Sequence, residues 1–252
     1  MKLARDTWLI YQRHFLLLFR SPIFILFGLS QPVTYILLFA PLLKVALRAH
    51  TYTEAYRIYV PGLLTVMAVL GGSYAGFGLL REVRVGIIER AQVTPCSRLA
   101  LMLGRAMREV TWLIWQAVII TLLALPFGLR VPIGDLLLAY LLLALLSVMA
   151  IAISYGLSLK IRNEAALAPM INTVSQPIML LAGVLLPLTL APLWLVNIAK
   201  WNPFYWATNG MRALFNGHIG NSSVWISLVI VLGLAVLAIT WSVRQFDRIA
   251  AT

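Results

Sequence analysis

Charge is what this chain has least of. Only 11% of its 252 residues are Asp, Glu, Lys or Arg, and just 8 of these are acids against 20 bases. No Cys/His or carboxylate cluster has metal-ligand spacing, so a bound metal has no ready ligand set. The single cysteine, Cys96, excludes an intrachain disulfide and reads as a free thiol. None of the four lysines, Lys2, Lys44, Lys160 and Lys200, follows a glycine, so the chain has no phosphate-binding Gly-Lys loop and cannot hold ATP by that route. Histidine is scarce too. His14, His50 and His218 lie outside the long apolar runs, which leaves Ser73 in "GGSYA" without a base and argues against a hydrolase elbow there. The formal charge of +12 comes with no nucleic-acid motif, and nucleic acid is not an expected partner.

What fills the sequence instead is apolar surface. Hydrophobic residues make up 62% of the chain, mean hydropathy is +0.92, and runs of about twenty apolar residues recur. These features predict an all-α integral membrane protein with six spans, at 22–43, 58–80, 110–129, 136–159, 165–188 and 224–243. The first run is too long for a signal-peptide core and five more follow it, so it is expected to stay. Fourteen of the 20 bases fall on one side: the N-terminus (Lys2, Arg5, Arg13, Arg20), the link after span two (Arg81, Arg84, Arg90, Arg98, Arg105, Arg108), the link after span four (Lys160, Arg162) and the tail (Arg244, Arg248). The positive-inside rule then puts both termini in the cytoplasm.

Residues 1–21 form a segment of their own ahead of the six-span domain, 22–252. On a helical wheel Lys2, Arg5, Asp6, Arg13 and Arg20 share one sector, while Ala4, Trp8, Tyr11, Phe15 and Leu18 take another, the pattern of a helix lying in the cytoplasmic interface. Within the spans, Ala68, Gly72 and Gly76 recur every four residues and suit close helix packing. The tripeptide Ser-Gln-Pro occurs twice, at Ser30-Gln31-Pro32 and Ser175-Gln176-Pro177, the second beside Asn172 and Thr173. Proline removes a backbone donor and the amides need partners away from lipid, so these positions read either as helix-to-helix glue beside a kink or as the lining of a pathway. No Asp, Glu or His sits plainly inside a span. Glu109 and Glu164 lie only at the mouths, which leaves an ion-coupled carrier poorly supported. After span five, Pro187, Pro192 and Pro203 break an apolar stretch rich in Trp and Tyr, predicting an interfacial or re-entrant hairpin, with Asn202-Pro203 as the cap and first residue of a short helix.

One charged island interrupts the apolar pattern, "REVRVGIIERAQVTP" at 81–95. With the Pro-Gly of span two before it, and the Thr-Pro-Cys-Ser-Arg turn and Gly104-Arg105 after it, this region resembles the ABC type-2 permeases, especially their daunorubicin-resistance branch. "RSPIFILFGLSQP" early, and "LLAGVLLPL" with "NPFYWATNGMRALFNG" late, extend the resemblance over nearly the whole chain.

The resemblance implies the transmembrane subunit of an ATP-binding-cassette exporter in a bacterial or archaeal cytoplasmic membrane. It would be a homodimer, driven by two copies of a separate ATPase that holds the ATP and Mg, with no cofactor in this chain. A cytoplasmic coupling helix between spans two and three would dock on the ATPase through Glu82, Arg84, Gly86, Ile87, Ile88, Glu89 and Arg90. Arg98, Arg105 and Arg108 are expected to anchor in lipid headgroups. Spans one, two and five would line the pathway at Gln31, Thr34, Ser73, Asn172, Thr173, Ser175, Gln176 and Met179, with an outer constriction at Gly183, Val184, Leu185 and Leu186. A hydrophobic or amphipathic drug or lipid-like substrate suits such a lining. A lipid-linked oligosaccharide is the alternative within the family, and an ion-coupled carrier is the alternative outside it.

Overall fold

The structure is a computed structural model and describes residues 2–46, 51–85, 98–184, 188 and 191–250. Among these residues it is all helical. Nine α-helices follow one another: α1 (Lys2–Phe19), α2 (Pro22–Ala46), α3 (Tyr52–Arg84), α4 (Arg98–Ala124), α5 (Ile133–Ile161), α6 (Glu164–Leu181), α7 (Leu193–Ala199), α8 (Pro203–Phe215) and α9 (Ser222–Ala250). A 3-10 turn, Leu125–Phe127, closes α4.

Four of these segments are long and apolar enough to cross a membrane: α3, Leu99–Phe127, α5 and Ser222–Phe246. The expected first span falls in α2, 25 residues long, which carries the apolar run Ile25–Phe39. The expected fifth falls in α6, only 18 residues long and diluted by Asn172, Thr173, Ser175 and Gln176. α6 also stops at Leu181, short of the expected residue 188. Ala182 donates to the Ile178 carbonyl, and Gly183 then turns left-handed at φ 64°, a conformation that ends a helix.

α5 forms the centre. Leu142, Leu143 and Leu146 are fully buried, with α3 and α9 packed along its two sides and α4, α6 and α8 around them. The α3–α5 seam is as close as the small residues at Ala68, Gly72 and Gly76 suggest. A Cβ on Gly72 would lie 2.6 Å from that of Ala150, and one on Gly76 would lie 2.6 Å from the Ser154 carbonyl oxygen. Ser154 Oγ accepts from the Gly76 N–H and donates to the Ser73 carbonyl. The hydroxyl is thereby satisfied inside an apolar seam.

α1 lies against the bundle. It packs along α4 through Thr7, Ile10, His14 and Leu18, and Gly104 admits Ile10 and the Thr7 carbonyl where a Cβ would collide. Trp8, placed on the apolar side of the wheel, is 51% exposed, and its ring lies 5.3 Å from that of Tyr11, tilted by 36°. The face chosen is the one that fits a glycine groove.

Asn202 caps α8 as its spacing predicts, with Oδ1 accepting from the Phe204 N–H and Pro203 first in the helix. Its Nδ2 donates to the Ile178 carbonyl of α6 at 2.7 Å, so one amide both starts α8 and ties it to α6.

The α3–α5 seam gives a direct test. Gly76→Ala should cost about 1–3 kcal/mol by overpacking, whereas Gly78→Ala, where a Cβ would meet nothing within 4 Å, should be neutral or gain up to about 1 kcal/mol from helix propensity. Thermal midpoints of the detergent-purified variants check this. Equal midpoints for the two would show that the seam is not tight.

Candidate functional site

α3 shows a bare stripe along one side: Gly71, Tyr74, Gly78 and Arg81 are exposed and recur at helical spacing. Small residues there leave Tyr74 standing free, and its hydroxyl donates to Asn172 Oδ1 of α6 at 2.7 Å. On its α2 side the stripe borders a cavity of about 700 Å³, which Gln31 also lines. Of the sequence-predicted lining, Gln31, Thr34, Asn172, Thr173 and Gln176 are exposed on this protomer. Ser73 and Ser175 are elsewhere, around a separate pocket of about 120 Å³ between α3, α5, α6 and Phe204. Met179 is half-buried against the core.

The backbone donor that Pro32 removes is replaced from a neighbouring helix. Pro32 lacks the N–H that would bond the Gly28 carbonyl, and Gln116 of α4 supplies a replacement at 2.7 Å. Arg212 of α8 donates through Nε to the Ile58 carbonyl of α3 at 3.4 Å, and through Nη2 to the carbonyls of Gly183 at 2.7 Å and Val184 at 3.4 Å.

The expected constriction residues Gly183 and Val184 are therefore held inward. Val184 is 3% exposed, and its carbonyl oxygen lies 2.2 Å from where a Cβ of Gly62 would stand, so only glycine fits beside it. Leu185 and Leu186 lie outside the described residues.

At the other end of α3, Glu82 and Arg84 are described, while Gly86, Ile87, Ile88, Glu89 and Arg90 lie outside the described residues. Arg84 pairs with Glu164 at the start of α6, 3.4 Å apart and partly exposed. Glu82 turns inward to Arg105 of α4, and Arg108 pairs with the adjacent Glu109. Arg105 is thus not the headgroup anchor expected of it. It is 6% exposed, because α1 covers this part of α4 and Glu82 offsets its charge. His14 of α1 lines the same cavity. Burial first, and then the charges of Arg105, Arg108 and Arg13, lower its pKa to about 4, so it is neutral at pH 7.

Sequence reasoning missed Tyr74, Gln116, Arg105 and Arg212 as structural contacts. A signal existed for the arginines: with 20 bases and 8 acids, most cations cannot have a carboxylate, and those within apolar helices must find carbonyls or a rare acid.

The bundle, the capped helical pair α7–α8 and the charged end of α3 can now be set beside known proteins. The family model described as ABC-2 type transporter matches residues 5–216. The chain belongs to the ABC-2 type transporter family. Its similarity extends to proteins named as transport permease ycf38: 25% identity to that of Cyanophora paradoxa over 84% of this chain and 74% of the relative, and 25% to that of Porphyra purpurea over 85% and 75%. Membership in the ABC-2 family makes this a membrane subunit that works with an ATP-hydrolysing partner, and no ATPase domain is evident in the chain itself.

Arg212 is the member of this site most open to test. Arg212→Ala strips donors from buried carbonyls, at a cost of about 1–3 kcal/mol, and should lower the thermal midpoint and free Val184. A cysteine at position 184, in a Cys96→Ser background, should then react faster with a polar thiol reagent than it does with Arg212 intact. An unchanged rate would show that Arg212 does not hold the Gly183–Val184 turn.

Proposed function

We propose that two copies of this chain form the translocation pathway of an ATP-binding-cassette exporter for a hydrophobic or amphipathic substrate, drug-like or lipid-like. α2 and α6 join α3, α4, α5 and α9 as the six spans, with both termini in the cytoplasm of a bacterial or archaeal cell. The ATPase is a separate subunit, present in two copies and docked on the segment from Glu82 to Arg90. The α7–α8 pair caps the outer ends of the spans, and the turn from Gly183 to Leu186 narrows the exit.

One observation supports this reading above the rest: Gln31, Thr34, Tyr74, Asn172 and Gln176 are exposed on a single protomer whose surroundings are otherwise apolar. Amide and hydroxyl groups facing hydrocarbon are costly, so this surface calls for protein or water rather than lipid. A second copy facing the first across a wet pathway supplies both. α6, which carries much of this surface, is only 18 residues long and holds Asn172, Thr173, Ser175 and Gln176. A lining of amides and hydroxyls, with the full charges of α2 and α6, Lys44 and Glu164, at their ends, suits substrates that are largely apolar.

Two measurements test the reading. In a Cys96→Ser background, cysteines at Asn172 and Gln176 should react with a small polar thiol reagent from an aqueous side, and a cysteine at Ile178, half-buried against the core, should react less. Inertness at both positions in every trapped state would turn this surface into a dry packing face and sink the pathway. For docking, Glu89→Arg sets like charge beside Arg90. It should weaken capture of the ATPase by at least tenfold, equivalent to about 1.4 kcal/mol, with normal amounts of the chain in the membrane. Undiminished capture would make Glu89 a solvated surface charge.

A further inference from the structure

The last turns of α3 and the first half of α6 pack on each other as a small unit of their own. Leu80 of α3 is buried with Leu167 and Ile171 of α6, and Phe77 of α3 and Leu157 and Ile161 of α5 lie at the edge, in a cluster separate from the main core. The buried apolar residues of α6, Leu167 and Ile171, both belong to it. Two polar contacts bracket the cluster. The Tyr74 hydroxyl donates to Asn172 Oδ1 at 2.7 Å on one side, and Arg84 pairs with Glu164 at 3.4 Å on the other. Beside the unit opens the pocket of about 120 Å³, with Ile153 and Leu157 on its α5 wall and Met170 and Val174 on its α6 wall.

These contacts decide how a displacement travels. Close-packed side chains do not compress, so a shift of the end of α3 must either shear the contact of Leu80 with Leu167 or carry α6 along. The hydrogen bond and the ion pair, one on each side of the cluster, oppose shear. Less holds the unit on the α5 side. The joint there is two residues, Arg162 and Asn163, and Arg162 sits at φ 55°, a left-handed conformation that is costly for a residue with a side chain. The Leu181 end of α6 is fixed instead, by Asn202 on the Ile178 carbonyl and Arg212 on that of Gly183. We propose that the end of α3 and the first half of α6 move as one body when the ATPase acts, tilting α6 about its fixed end into the room that the pocket provides. Arg84 and Glu164 are the positioning residues that keep α6 in step with the docking segment. The inference rests on the reading that the ATPase docks between Glu82 and Arg90, and it adds the route from there to Asn172. The ion pair is partly exposed and contributes little to stability, so breaking it should leave the fold standing and disturb the movement.

Hydrogen exchange of the α6 backbone, followed by mass spectrometry on the complex of the full chain with its ATPase in nanodiscs, reads this movement without a substrate. Trapping the parent complex with ATP and vanadate should change exchange at residues 165–176 by about threefold or more. Glu164→Arg sets like charge against Arg84 from outside the docking segment. Its capture of the ATPase should stay within about twofold of the parent, while the ATP-driven change in α6 falls to about a third or less. A Cys96→Ser chain with Arg84→Cys and Glu164→Cys should lose the change likewise, and regain it once a short bifunctional maleimide joins the two thiols, because a covalent strut then replaces the ion pair. No ATP-driven change in the parent, or a full change in Glu164→Arg, overturns the proposal. A tether that fails to restore the change also overturns it, since α3 and α6 then do not travel together. Lost capture in Glu164→Arg would assign the pair to docking, with the same consequence. The docking reading fails by a different result, undiminished capture in Glu89→Arg, whereas normal capture with a full change in Glu164→Arg removes this inference alone.

Discussion

A backbone carbonyl that loses its helical donor must find another one, and in an apolar bundle water is not at hand to serve. Much of this structure answers that constraint. Pro32 removes the N–H that would bond the Gly28 carbonyl, and Gln116 of a neighbouring helix supplies a donor in its place. Past the last turn of α6, Arg212 meets the Gly183 and Val184 carbonyls, and Asn202 gives the Ile178 carbonyl a second donor beside the Ala182 N–H. The few strong donors of a chain with 11% charge go to the places where helices bend or stop.

This allocation explains which polar groups remain available for function. Gln116, Asn202 and Arg212 are committed inside the protomer, and Ser154 is committed to the α3–α5 seam. What remains on the outside is the row from Gln31 and Thr34 through Tyr74 to Asn172 and Gln176. A helix that lines a wet pathway has to be less apolar than one that faces lipid. α6 shows that dilution, with Asn172, Thr173, Ser175 and Gln176 within 18 residues.

The sequence revealed the fold more readily than the site, for a physical reason. Composition and run length alone identify a helical membrane protein, and Ala68, Gly72 and Gly76 announce the α3–α5 seam because their spacing is local. Asn202-Pro203 is equally local and capped α8 as read. The end of α6 was missed because apolar character continues past Leu181, and only Gly183's left-handed backbone stops the helix. Which side of α1 meets α4 was not legible, because amphipathicity gives an axis of preference but not the shape of the partner, here the groove at Gly104. Gln116 to Gly28 and Arg105 to Glu82 join residues far apart in sequence, and no periodicity within one helix encodes such pairs.

Arg105 and Arg212 show how far residue type falls short of role. Both are arginines in helices with few charges, and both turn inward. Arg212 places its donors on three carbonyls, its demand is met by the protein's own backbone, and it acts as a strut between α8, α3 and the turn after α6. Arg105 is offset by the carboxylate of Glu82, and its Nε and Nη1 are buried without a hydrogen-bond partner among the described residues. Coulomb attraction settles its charge but not its hydrogen bonds, because a single carboxylate cannot reach every edge of a guanidinium. A buried cation satisfied in full belongs to the scaffold. One satisfied in charge alone, as Arg105 is by Glu82, carries the desolvation cost of its remaining donors.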